Sequence, residues 1–400
     1  MGVYGRIMRT PGVGVIVLAT LIGRLPIGIS GLAILLYVRE VSGSFAAAGA
    51  CAGALALGSA SGAPLQGRLV DRRGVGTLLP LACVHGTGLV LVWVLGAEAA
   101  PTLAIVASSF LAGMAIPPLS SVLRSRWPYL LERHPDLIPG AYALDSVMIE
   151  LIFIVGPLIV TAIVATAGPE YALGISAACV LVGTMLLLAG LRGRRGPGRQ
   201  ADGRRALGLG ALAAPGLRTL VLASLPVGFC FGAIEVVLPA FSESEGSKEM
   251  AGVLLAVWSA ASGAAGLVYG ARVRQAALED LHLRFACLLP LGIAALLVAS
   301  SPLTMALLAI LAGIPIAPLI ASRNQLVGRV SLPGTATEAF TWPLTALVAG
   351  VSLGAAAAGA LVETYSWTAG VLLAVAVAAA GAGVIFARRE TIARPVTAPG

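Results

Sequence analysis

Residues 13–38 read VGVIVLATLIGRLPIGISGLAILLYV, and in that run Arg24 is the only charged side chain. A helix needs about 20 predominantly apolar residues to cross the hydrocarbon core of a bilayer, so this run is long enough to span. A signal-peptide core has only about 7 to 15 apolar residues, and no small-x-small cleavage site follows the run here. It reads as an anchor retained behind the basic leader MGVYGRIMRT.

The rest of the chain repeats that pattern. Of its 400 residues, 58% are hydrophobic and 11% charged, with a mean hydropathy of +0.96, whereas soluble domains carry about 25% charged residues. The 50 glycines and 24 prolines are spread through the apolar runs, as in helices that pack on small residues in lipid. Candidate spans fall at 13–38, 45–66, 77–97, 101–123, 139–166, 170–191, 216–241, 250–271, 282–300, 302–322, 336–362 and 368–387. The expected fold is an all-α membrane protein of twelve transmembrane helices. Cys51, Cys83, Cys179, Cys230 and Cys287 lie inside these runs at spacings of neither a metal site nor a disulfide framework, and read as small core residues. No cofactor or metal is expected.

The net charge of +8 raises the question of nucleic acid, and the placement of the charges answers it. With the N-terminus in the cytoplasm, the inner connectors hold Arg68, Arg72 and Arg73, then Arg124, Arg126 and Arg133, the run RGRRGPGRQADGRR at 192–205, Arg272, Arg274 and Arg284, and Arg329. The outer connectors hold only Arg39 and Lys248 among acids such as Glu40, Glu98, Glu170, Glu243, Glu245, Glu249 and Glu363. This positive-inside bias predicts that both termini are cytoplasmic. The basic loops face an anionic leaflet, so the partner is the lipid bilayer and no nucleic acid is implied.

The halves look alike at an offset near half the length. LAGMAIPPL at 111–119 lines up with LAGIPIAPL at 311–319, VLAT at 17–20 with VLAS at 221–224, SGA at 61–63 with SGA at 262–264, and Pro139-Gly140 with Pro333-Gly334. The expected organisation is a six-helix bundle at 1–191, a cytoplasmic linker at 192–215 and a second six-helix bundle at 216–400, related by a pseudo-two-fold repeat. Two such bundles can rock about a site between them.

At 67–74, between the second and third spans, the chain reads GRLVDRRG. This resembles the signature loop of the major facilitator superfamily, Gly-x-Leu-x-Asp-Arg-x-Gly, with Gly67, Leu69, Asp71, Arg72 and Gly74 matching and Val75-Gly76 standing where further basic residues are usual. The resemblance covers essentially the whole chain and implies a gating element here, a conformational latch comprising Gly67, Asp71, Arg72, Gly74 and Arg124. Physically, Asp71 has two ways to hold the halves together: accepting from the positive N-terminus of a neighbouring helix, or pairing with an arginine. The second-half counterpart, GARVRQAALED at 270–280, has no acid at the Asp71 position, so the latch is asymmetric. In the fifth span, Gly156-Pro157 resembles the core of a motif associated with the proton antiporters of this family, although Ile159-Val160 replace its later glycines. A simple proline kink is the other reading.

A charge at mid-bilayer costs about 2.5 to 3.5 kcal/mol on insertion scales, so it persists where it faces a cavity or a partner. Arg24 lies roughly 17 Å into its helix, on one face with Thr20, Gly28 and Gly31. In the superfamily, the first helix of each triplet lines the central cavity, which implies that this face points at the substrate path. The candidate partners are Glu150 first, then Asp145, Glu235 and Glu338. Asp145 also reads as a near-surface carboxylate paired with Arg124 or Arg126, Glu235 as a vestibule charge, and Glu338 as a latch to Arg323. Burial disfavours a charged carboxylate and a nearby arginine favours it. A motion that separates Glu150 from Arg24 would therefore load a proton.

Other function classes lack their motifs. There is no His-Glu-x-x-His, no paired aspartates for a metal-diphosphate, and no Gly-rich loop ending in Gly-Lys-Ser/Thr. The sequence therefore points to secondary transport, with small-molecule substrate and protons as partners, acting as a monomer. Asn324 is the sole asparagine and aromatics are few, which suits an amphipathic solute. Proton-coupled efflux, as in multidrug resistance, is the favoured direction. An uptake symporter, a non-transporting receptor or scaffold, and a membrane-embedded enzyme are the alternatives. Lys248 is the only lysine beside many arginines, a bias that suggests a GC-rich bacterium and its inner membrane.

Overall fold

The computed structural model describes residues 2–194, 196, 210–246, 250–272 and 276–393. Most of the expected linker, together with Lys248, Glu249 and Arg274, lies outside them. The described residues contain twelve helices long and apolar enough to cross a membrane: Val13–Ser42, Ala47–Arg73, Val75–Ala97, Thr102–Leu130, Pro135–Thr166, Pro169–Leu191, Pro215–Ser244, Met250–Ala271, Leu278–Val298, Pro302–Val330, Ala336–Thr364 and Trp367–Ala387. They form two six-helix bundles, and are called here the first to twelfth spans. A short helix, Val3–Arg9, precedes them.

Several helices outrun their expected spans. The second helix continues to Arg73 and the fourth span to Leu130, because a polar sequence ends the hydrophobic run without ending the helix. The 29 residues of the second helix, Phe45–Arg73, extend about 43 Å, beyond the ~30 Å hydrocarbon core. GRLVDRR is therefore the last two turns of a helix rather than a loop. Only Gly74, at φ +87°, leaves the helical path.

The repeat reappears as matching interruptions. The fourth span breaks between Met114 and Leu119, and the tenth between Gly313 and Ile316, both within the LAGMAIPPL and LAGIPIAPL copies. Prolines there remove backbone donors, and carbonyls near the first break take side-chain partners. Gln66 donates to the Met114 carbonyl, and His85 Nδ1 lies 2.8 Å from that of Ala112.

The first span also breaks, at Leu25 before Pro26. Here the better match is LPIG at 25–28 with LPVG at 225–228, one turn out of step with VLAT and VLAS. The packing follows the new alignment. A Cβ on Gly28 would lie 2.5 Å from the Ile152 carbonyl oxygen, and one on Gly156 would lie 2.7 Å from Gly28 backbone atoms. In the second half, Gly228 and Gly350 are likewise pressed against the backbones of Leu347 and Leu225. In lipid, where apolar side chains gain little by leaving the solvent, such close approach is what holds helices together. Across the bundle, the second span packs on the eleventh and the fifth on the eighth.

Candidate functional site

Arg24 ends the first segment of the first span and shares its buried stripe with Thr20 and Gly23. Its Nη1 meets Asp145 Oδ1 of the fifth span at 2.7 Å, and Arg124 Nε of the fourth span meets Asp145 Oδ2 at 2.5 Å. The three side chains are 1%, 0% and 3% exposed, in the order Arg24, Asp145, Arg124. One carboxylate thus bridges two guanidinium groups from two other helices. Tyr142, nearly a turn before Asp145, donates its hydroxyl to the Arg124 carbonyl at 3.2 Å.

The pairing of Asp145 with Arg124 is as expected, and the near-surface placement of Asp145 is corrected. Arg24 is answered by Asp145, one of the candidate carboxylates; the side chain of Glu150, the first candidate, lies outside the described residues. Asp145 is no surface carboxylate, because the fourth span packs beside it. Distance from a helix end measures depth along the axis, and lateral cover decides exposure. Arg124, placed in the latch by sequence, instead braces this ion cluster within the first half.

A third buried arginine, Arg323 of the tenth span, donates from Nη1 to Ser224 Oγ at 3.3 Å and from Nη2 to Asn324 Oδ1 at 3.2 Å. It lies within electrostatic range of Arg124 and Asp145, and lines a small cavity with Ser224, His282 and Ile385. Among the described residues, Arg24 Nε and Nη2, Arg124 Nη1 and Arg323 Nε have no acceptor. Two guanidinium groups thus close on a single carboxylate, and a third buried arginine lies beyond ion-pair distance of it.

A second constellation joins the halves at the end that carries both termini. Asp71 Oδ1 accepts the Thr337 N–H at 3.0 Å, and Oδ2 accepts the Glu338 N–H at 2.8 Å. These are donors of the first turn of the helix Ala336–Thr364, left without intrahelical acceptors and carrying the positive end of its dipole. Of the two ways open to Asp71, the helix N-terminus is the one realised. Gly67, one turn earlier, lets the helices close up: a Cβ there would lie 2.8 Å from Glu338 Cα. Arg72 is exposed at the helix end.

Glu338 does not latch to Arg323. It pairs with Arg68 Nη2 at 2.7 Å and takes Trp342 Nε1 at 3.3 Å. Arg68 went unrecognised in the sequence, although its spacing three residues before Asp71 on one helix was a signal that the two share a face. Glu235 is exposed on the seventh span. Gly156 forms the contact with Gly28 described above, and Pro157 lies within an otherwise continuous helix, Ile138–Thr166.

Twelve spans in two bundles, joined by charged contacts at one end, are the frame of a membrane transporter. The sequence profile described as Major Facilitator Superfamily matches residues 16–278, and the chain belongs to that family. No curated protein matches it. Among solved structures it is similar to the human organic anion transporter MFSD10 (TETRAN), at 16% identity and a TM-score of 0.70, over 93% of this chain and 98% of that one. It is also similar to a bacterial homologue of the iron transporter ferroportin in an outward-facing state, at 13% identity and a TM-score of 0.75, over 94% and 99% of the chains. The E. coli fucose:proton symporter FucP, in its N162A form, matches at 14% identity and a TM-score of 0.71, over 97% and 100%. These neighbours share the fold; membership of the family makes this chain a membrane transporter rather than an enzyme.

Proposed function

We propose that the chain is a proton-coupled exporter of a small amphipathic organic molecule, working by alternating access between bundles at 1–191 and 216–400 as a monomer. We place it in a bacterial inner membrane with both termini cytoplasmic. The arginine-rich connectors support that orientation. The Asp71 and Arg68 contacts then keep the cytoplasmic side shut, and releasing them shifts a two-state equilibrium.

The observation that carries the substrate reading is the surplus of buried guanidinium donors over carboxylates among Arg24, Arg124, Arg323 and Asp145. Such a surplus suits a solute with an anionic group on an apolar body, because a buried cation without an acceptor is costly. Glu150, five residues beyond Asp145 and about 7.5 Å further along the same helix, is the proposed proton carrier. Both oxygens of Asp145 are already engaged by arginines.

The test is a susceptibility and accumulation screen of expressing cells against anionic, neutral and cationic amphipaths, with a proton uncoupler as control. Reduced accumulation of the anionic compounds, abolished by the uncoupler, is the expected outcome. Increased accumulation would reverse the direction, and protection confined to cationic compounds would overturn the substrate class.

A further inference from the structure

The two seams between the halves are built differently at the end that carries the termini. At the first, Gly67 of the second span lies against the eleventh, and Asp71 locks it. At the second, Gly270 of the eighth span lies against the fifth: a Cβ on Gly270 would be 3.2 Å from Gly140 Cα and would press on the Ala143 side chain. Aligning Gly270 with Gly67 places Arg274 where Asp71 stands. The second seam therefore repeats the close glycine approach without its acid.

The N-terminal helix occupies that place. Tyr4 donates its hydroxyl to the Leu267 carbonyl of the eighth span at 2.6 Å, and the same hydroxyl would lie 2.5 Å from a Cβ on Gly270. A Cβ on Gly140 of the fifth span would lie 2.5 Å from Val3 Cγ1 and 3.3 Å from Ile7 Cδ1. Ile7 is fully buried, while Gly5, Arg6, Met8 and Arg9 face outward. Arg6 meets Asp136, ahead of the fifth span, at 3.0 Å, with both half-exposed. The helix is thus tied to the first half by Arg6, by Val3 and Ile7, and by its covalent link to the first span. Tyr4 reaches across to the second half.

We propose that Val3–Arg9 is a second gate of the transport cycle, a strap that holds the fifth and eighth spans together and substitutes, through Tyr4, for the acid missing from the second copy of the latch. Opening this end of the protein separates the fifth span from the eighth, and the Tyr4 bond must break as it does so. Both seams belong to one motion, so weakening the strap also loosens the Asp71 seam, which the strap does not touch.

The experiment is hydrogen exchange read by mass spectrometry on the full-length protein in nanodiscs, comparing wild type with Tyr4→Phe and with a variant lacking residues 2–9. Loss of one hydrogen bond changes an opening equilibrium by about fivefold. Exchange in Tyr4→Phe should therefore rise by about that factor, both at 138–144 and 264–271 and at the remote seam, 336–341. The truncated variant should exceed it. Faster exchange confined to 138–144 and 264–271 in both test variants would mean that the helix only packs locally, and would overturn the gate. Unchanged exchange everywhere would overturn it as well.

Discussion

Arg24 and Asp145, on the first and fifth spans, meet at 2.7 Å with neither open to solvent, and Arg124 closes on the same carboxylate from the other side. Removing one partner of a buried ion pair typically costs about 3–5 kcal/mol, whereas replacing the whole group by apolar residues is often neutral. Asp145→Ala should therefore lower thermal stability strongly in detergent. The triple variant Arg24→Met, Arg124→Met, Asp145→Leu should regain most of it without regaining transport. A melting temperature unchanged by Asp145→Ala would show that the cluster contributes nothing to holding the bundle.

Asp71 accepts two backbone N–H groups as a charged acceptor, and hydrogen bonds to charged groups contribute about 1.5–3 kcal/mol each. Asp71→Asn keeps the shape and loses the charge. We expect the closed-to-open equilibrium constant at this end to fall by at least tenfold, read from alkylation of a cysteine placed at Thr337. Equal labelling in both backgrounds would remove Asp71 from the gate.

Glu150→Gln should abolish transport driven by a pH gradient in vesicles while leaving substrate exchange at equal pH intact. Gradient-driven transport that survives in this variant would assign the proton to another carboxylate, with Glu235 next in line.

Arg323 has hydrogen-bonding partners but no carboxylate within ion-pair distance among the described residues. If an anionic group of the substrate completes its shell, Arg323→Gln should weaken binding of anionic substrates by about tenfold or more, a charge-assisted bond's worth, and spare neutral ones. Competition binding on the purified protein separates the two, and equal losses for both classes would count against a charge-reading role.

The twelve spans were legible because lipid imposes its demand locally: each crossing helix must carry its own apolar run. The ends of those helices were not, since Gly67 to Arg73 stay helical beyond the hydrocarbon and polar residues leave no mark of where the backbone turns. The role of Asp71 was half legible, because its place in the motif announced a latch while its acceptor geometry depended on where the eleventh helix begins. The partner of Arg24 was legible only as one of four candidate carboxylates. Asp145 and Glu150 lie on one helix little more than a turn apart, and the choice between them rests on helix rotation and on the cover given by Arg124, neither of which is written in spacing. Tyr4 went unnoticed because a seven-residue helix carries almost no periodic signal. Its importance comes from Gly270, which its hydroxyl meets, while Val3 and Ile7 of the same helix meet Gly140.

Between Gly28 and Gly156 the two backbones touch with no side chain interposed. Side chains damp relative motion by changing rotamer, and here there are none to do so. At that point the first and fifth spans meet as a riveted joint: a tilt imposed on the helix that bears Asp145 and Glu150 is passed to the segment Pro26–Ser42, one residue beyond the segment that ends at Arg24. Gly156→Val should destroy the joint at an overpacking cost of about 1–3 kcal/mol or more. A variant that survives folding should bind its substrate yet transmit little of the motion that binding starts, an engine turning over with its clutch disengaged.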